Sequence, residues 1–202
     1  MSILTCTLVA DGSSDRVLVP LLDMLLDEHC PGPYRSPQFA ELPAGMPLLQ
    51  RIKQAIDLYP CDLLFVHRDA EKELPAARIE EIQQALASLD SAPASISIIP
   101  VRMTEAWLLV DEPAIRKAAG NPASKVALNL PRLDRIESLP DPKDVLFEAL
   151  RTASELPQGR LRKFNPEAKR HHVTNQIDNL DCLRRLPSFQ HLEHQIQMHF
   201  TT

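Results

Sequence analysis

No stretch of this chain approaches the roughly 20 consecutive apolar residues that cross a bilayer, so no membrane partner is expected. The opening MSILTCTLVADG has neither a basic stretch nor a small-residue cleavage site, so it does not read as a signal peptide and a cytoplasmic location is expected. Close CxxC pairs are also missing. The four cysteines, Cys6, Cys30, Cys61 and Cys182, are scattered, which excludes a Cys-type structural zinc site, and disulfides are not expected in a reducing compartment. There is no GxSxG elbow, no phosphate-binding loop ending in Lys-Ser/Thr, and no histidine pair at HxxxH spacing. Strong positive charge is absent as well. A net charge of −5 leaves no general attraction for nucleic acid, so any such binding needs a local basic patch. Glycine is scarce and proline plentiful, five against 18, and many prolines fall between periodic segments, where they stop helices and stiffen turns.

What is present alternates. Residues 2–10 are strand-like, and residues 15–28 are leucine-rich and helical, with Ser13 or Ser14 as the cap and Asp15 in the first turn. Pro20 conflicts with that helix unless it begins later. A short strand is expected near residues 38–42, a helix over 47–59, and a strand buried on both faces over 61–67. A helix over 75–90 and a strand over 95–101 follow, with Pro100 placing that strand at its end or at a sheet edge. After residue 101 only helices are expected: two short ones split near Pro113, then 143–155, 174–186 and 188–199. The fold class is therefore α/β, a mainly parallel sheet flanked by helices with a helical C-terminal extension. The division expected is an α/β domain over residues 1–112 and a helical extension packed on it over 113–202.

Acidic residues follow three of these strands. Asp11 and Asp15 follow the first, Asp69 and Glu71 the central one, and Glu105 the last. Carboxylates converging at one edge of a parallel sheet suit Mg²⁺, which needs only one to three of them and keeps several waters. The same residues also suit caps and turns: Thr104 reads as an N-cap, Glu105 complements a helix start, and Trp107 with Leu108 reads as core. A second cluster is basic. In GRLRKFNPEAKRHH, Arg160, Arg162, Lys163, Lys169 and Arg170 would neutralise a phosphate backbone, and His171 with His172 adds proton carriers; a solvated loop is the competing reading.

The turn Asp11-Gly12-Ser13-Ser14-Asp15, the strand end FVHRDAE and the piece EAWLL (Glu105 to Leu109) together resemble the Toprim-like bacterial proteins grouped as domain of unknown function family 4276. The later pieces FNPEAKRHH and LPSFQHLEHQ extend the resemblance over most of the chain. Toprim domains carry Glu-Gly-x-x-Asp after the first strand and Asp-x-Asp after a later one. Here Asp11 stands for the glutamate, one methylene shorter, and His67 for the first aspartate of the pair.

The resemblance implies a Toprim/Rossmann-like sheet and divalent-metal-dependent phosphodiester chemistry, a nuclease in a bacterial defence or mobile-element setting. Asp69, Glu71 and Glu105 would hold Mg²⁺ or Mn²⁺, Asp11 would act as general acid/base or extra ligand, and Asp15 would orient the turn. The Arg160 to His171 run would grip nucleic acid. Mn²⁺ tolerates a histidine ligand better than Mg²⁺, which fits His67 as a ligand; alternatively Asp69 and Glu71 work as a pair with His67 behind them. A homodimer or a partner protein from a defence system is expected on the same ground. The alternatives are a catalytically degenerate Toprim-like binding protein and a small-molecule phosphohydrolase.

Overall fold

The computed structural model describes residues 2–201; residues 1 and 202, the outer ends of the two expected segments, lie outside the described residues. Among the described residues the sheet has four parallel strands in the order β2-β1-β3-β4. They are β1 (Cys6–Val9), β2 (Gln38–Phe39), β3 (Leu63–His67) and β4 (Ala94–Ile98). Both β1 and β3 pair on two sides and are buried throughout, in keeping with their mainly apolar sequences.

A 3-10 turn over Ser13–Leu18 follows β1 and passes directly into α1 (Val19–His29). This resolves the conflict at Pro20: the α-helix begins later than its leucine periodicity implies, and Pro20 falls in its first turn, where a missing N–H costs nothing. The cap also differs from expectation. Gly12 holds the N-cap position, and neither Ser13 nor Ser14 caps by its side chain; the Asp15 carboxylate instead accepts from the Gly12 N–H at 3.2 Å.

Helices α2 (Leu48–Leu58) and α3 (Pro75–Ala87) cover one face of the sheet, packing Ile52, Ala55 and Ile82 against Val9, Leu64 and Val66. On the opposite face α1 buries Leu21, Leu22, Leu25 and Leu26, each contributing about 1.5–3 kcal/mol on removal from water. Strand order explains the split. The chain steps from β1 outward to β2, then crosses back past β1 to β3 and β4. Right-handed connections in opposite directions put their helices on opposite faces.

The chain beyond β4 packs on the α1 face. It forms α4 (Glu105–Leu108), α5 (Glu112–Ala119), α6 (Leu133–Ile136), α7 (Pro142–Ser154), α8 (Gln158–Leu161), α9 (Pro166–Thr174) and α10 (Pro187–Thr201). One hydrophobic core runs through both expected segments, from Leu8 and Phe65 of the sheet to Leu150 and Phe189. Trp107 lies at its centre, edge-on to Phe189 with ring centroids 5.2 Å apart, its Nε1 donating to Ser188 Oγ at 2.8 Å.

Two expectations in this region fail. Residues 174–186 do not form one helix: Thr174 ends α9, turns follow at 175–176 and 181–182, a single 3-10 turn spans Leu183–Arg185, and Ile177, Leu180 and Leu183 anchor the segment to the core. The basic stretch, for which a solvated loop is the competing reading, is instead largely helical, because Asn165 caps α9 by accepting from the Ala168 N–H at 3.2 Å and Pro166 fills its first position.

The free edge of β4 is covered by a side chain. From α10, Gln195 accepts from the Ser97 N–H at 3.4 Å and donates to the Ser97 carbonyl at 3.0 Å. No described helix is long and apolar enough to cross a membrane.

Candidate functional site

Connections leaving β1 and β3 go to opposite faces, which opens a crevice above their neighbouring C-terminal ends. Asp11 and Asp69 follow these two paired strands, so the acidic tips are adjacent, as the parallel alternation predicts. Beyond their assigned ends β3 and β4 stay joined: the N–H groups of Arg68, Ala70 and Glu71 donate to the carbonyls of Ile98, Pro100 and Arg102. This pairing brings the segment before Glu105 against Asp69. It also holds Glu71 and Arg102 in left-handed backbone conformations, φ 53° and 66°, which cost energy in residues other than glycine.

His67 is the centre of the buried part of the site. Alternation along β3 turns Leu63, Phe65 and His67 to one face, and there His67 is only 2 % exposed. Its Nε2 lies 3.2 Å from Asp69 Oδ1 and 3.0 Å from Thr104 Oγ1; its Nδ1 lies 3.6 Å from Asp15 Oδ2. Burial alone would lower the imidazole pKa, but the hydrogen bond and charge of Asp69, with Asp15 and Asp11 behind it, raise it overall. The imidazolium is thus favoured, held between two carboxylates. Burial raises the pKa of Asp15, opposed by His67.

Thr104 completes this network. It holds the N-cap position of α4 with helical backbone angles but makes no capping hydrogen bond through its side chain; its N–H and hydroxyl lie 3.0 and 3.3 Å from Asp69 Oδ1. Partners of Asp69 therefore converge on Oδ1, and the side chain keeps 29 % of its exposure. Asp11 is half exposed and faces two guanidinium groups, Arg68 Nε at 2.9 Å and Arg51 Nε at 4.0 Å.

The remaining expected ligands sit elsewhere. Glu105 is buried and bonded to Arg170, so a carboxylate expected to hold metal is occupied by a guanidinium. Glu71 is exposed and lies 3.7 Å from Arg78. Asp69, Glu71 and Glu105 therefore do not gather into one coordination set. His67 is not a free ligand either, since both ring nitrogens face protein groups. The donors that do fit a hard cation are Asp11 and Asp69, partly exposed oxygen ligands on adjacent strand ends. Mg²⁺ and Mn²⁺ sites with one or two carboxylates and several waters need no more.

Among the described residues, three His, Cys, Asp or Glu ligand atoms lie within 4.8 Å of one another only at Glu28, His29 and Glu193. That cluster lies at the C-terminal end of α1 and already holds a cation. Arg184 bonds to Glu28 and to both oxygens of Glu193, tying α1 to α10.

The basic stretch divides in two. Arg160, Arg162 and Lys163 are exposed on and just after α8, and Lys169 is half-buried. Arg170 departs from the expected surface clamp: it is 3 % exposed and points inward to Glu105. His171, half-buried, borders a cavity with Arg16 on the 3-10 turn, and burial, reinforced by the Arg170 charge, lowers its pKa.

Sequence reasoning passed over Arg16, Arg51 and Arg68, and gave Thr104 only a capping role. Arg68, next to Asp69 at the strand end, was open to notice; the reach of Arg51 from α2 to Asp11 depends on the fold. No family model, no curated protein and no solved structure matches the chain.

Proposed function

We propose that the crevice above β1 and β3 carries out divalent-metal-dependent phosphodiester chemistry, as a nuclease acting on nucleic acid in a bacterial, cytoplasmic setting. The observation that carries this reading is the placement of Asp11 and Asp69 at neighbouring parallel strand ends, where the strand order reverses. The Toprim-like resemblance agrees with it.

Asp69 and Asp11 would hold Mg²⁺ or Mn²⁺. When bound, such an ion supplies a Lewis acid for a phosphoryl oxygen and lowers the pKa of a coordinated water. The chain's own residues act around that position. His67 and Thr104 fix Asp69 through Oδ1, and Asp15 balances the imidazolium from the other side. These are positioning residues, since His67 is too buried to meet a substrate. Arg68 and the exposed Arg160, Arg162 and Lys163 supply positive charge for a phosphate backbone.

The test is cleavage of a mixed DNA and RNA panel under titrated Mg²⁺ and Mn²⁺, with Asp69→Ala as comparison. Expected is metal-dependent cleavage lost in the variant. Cleavage without metal, or cleavage that survives the substitution, would overturn the assignment.

A second reading has its own support. Arg68 lies 2.9 Å from Asp11 and competes with any ion for that carboxylate, which favours a crevice that binds phosphate without cutting. Calorimetry with no Mn²⁺ or Mg²⁺ binding in the millimolar range, in a folded protein, would favour it.

A further inference from the structure

A cavity of about 450 Å³ opens beside the crevice, over the C-terminal ends of β1 and β2. Its wall includes two arginines from different elements. Arg51, 3 % exposed, donates through Nη1 to the Ala10 carbonyl at 2.9 Å and through Nη2 to the Pro43 carbonyl at 3.1 Å. Its buried Nε has no hydrogen-bond partner, with Asp11 Oδ1 standing 4.0 Å away. Arg51 thus puts a buried positive charge beside the cavity whose nearest carboxylate, Asp11, stands 4.0 Å off and is shared with Arg68, so a further anion would add compensation.

Arg16 stands at the other side. Its guanidinium carbon lies over the Phe39 ring, 4.9 Å from the centroid, and it bonds to Glu41. Both partners of that ion pair are well exposed, at 50 % and 71 %. An exposed pair holds weakly. A guanidinium stacked over a ring, with an exposed carboxylate as its ion-pair partner, is prepared for an oxyanion.

We propose that this cavity is a phosphate subsite, in which a phosphate group displaces Glu41 from Arg16 and neutralises the charge of Arg51. It rests on the reading of the neighbouring crevice as a phosphodiester site, for which it would hold a nucleotide unit adjoining the one acted on. Glu41 then serves as an internal stand-in for the phosphate.

The experiment is calorimetric titration of the metal-free protein, in chelator, with inorganic phosphate, a nucleoside 5′-monophosphate and a short single-stranded oligonucleotide. Glu41→Gln removes the competing carboxylate and should tighten phosphate binding by roughly two- to fivefold, the range an exposed ion pair spans. Arg16→Ala should weaken it by about tenfold or more. Arg16-dependent preference for the oligonucleotide supports a polymer phosphate, and preference for the monophosphate supports the same subsite filled by a free nucleotide. Phosphate binding unchanged in both variants, or absent in the wild type and Glu41→Gln alike, would overturn the proposal.

The two readings fail separately. Metal-free phosphate binding does not depend on the ion that Asp11 and Asp69 would hold. If metal-dependent cleavage is absent but the Arg16 and Glu41 effects hold, the phosphodiester reading falls while phosphate binding at this cavity stands.

Discussion

Glu105 and Arg170, 65 residues apart, meet as a buried carboxylate and guanidinium beneath the crevice, with side chains 5 % and 4 % exposed. Glu167 adds a second carboxylate 2.7 Å from Arg170 Nη2. The pair joins α4, which follows the last strand, to α9.

Removing one partner strands the other in a medium that cannot solvate it. Arg170→Ala is therefore expected to lower stability by about 3–5 kcal/mol in urea denaturation. Arg162→Ala, at an exposed position, should change it by less than about 0.5 kcal/mol. Equal, small effects of the two substitutions would refute the structural role given to Arg170.

Thr104 gives Asp69 Oδ1 two donors, its N–H and its hydroxyl. Thr104→Val keeps the shape and removes the hydroxyl, so stability should fall by about 1–2 kcal/mol. If Asp69 holds the ion, Mn²⁺ affinity should fall by about tenfold or more as the carboxylate loosens. Calorimetry and denaturation on the same variant separate the two effects, and unchanged affinity would remove Thr104 from the positioning of the site.

Stability should also depend on pH through Glu193. Burial alone would raise its pKa, but hydrogen bonds from Arg184 and His29 hold it below the usual 4.5. A depressed carboxylate contributes stability that is fully present above the unfolded pKa and is lost as pH falls through the folded one. The advantage of wild type over Glu193→Gln is expected to be constant at neutral pH and to shrink below about pH 4.5. Urea denaturation from pH 7 to pH 3 checks this; a difference that grows on acidification would contradict it.

Cys6 is buried in β1, and burial, with smaller contributions from Cys61 and Cys30, pushes its thiol up to about 12. Thiolate, the reactive form, is therefore scarce as well as shielded. Iodoacetamide followed by mass spectrometry should find Cys30 and Cys182, both partly exposed, modified first. Cys6 should react only under denaturant, and native labelling at a comparable rate would place it outside the core.

The sheet was legible because its signals are local. Cys61 to His67 is too apolar for anything but a strand buried on both faces, and Pro100 correctly argues for an edge. The α9 signal was equally local: Asn165, Pro166 and Glu167 together spell a helix start, but the surrounding basic residues were read as a phosphate clamp or a solvated loop. Residues 174–186 misled in the opposite sense. Ile177, Leu180 and Leu183 recur at three-residue steps as in a helix, yet each is an anchor for a turn.

At the site, the strand-tip positions of Asp11 and Asp69 followed from alternation alone. Which carboxylates remain available did not, because that depends on long-range partners: Arg170 for Glu105, Arg68 for Asp11, Thr104 for Asp69. Charge compensation between residues so far apart in sequence leaves no periodic trace.

Gln195 gives β4 a neighbour that is not a strand. An amide side chain satisfies one residue's main-chain pair but offers no further row of donors and acceptors, so on that side the ladder has a last rung. At the other border β2 is two residues long, too short a template for a docking chain. The sheet is thus finite by construction. Loss of α10 would take that cap away and leave the Ser97 main-chain N–H and carbonyl unpaired.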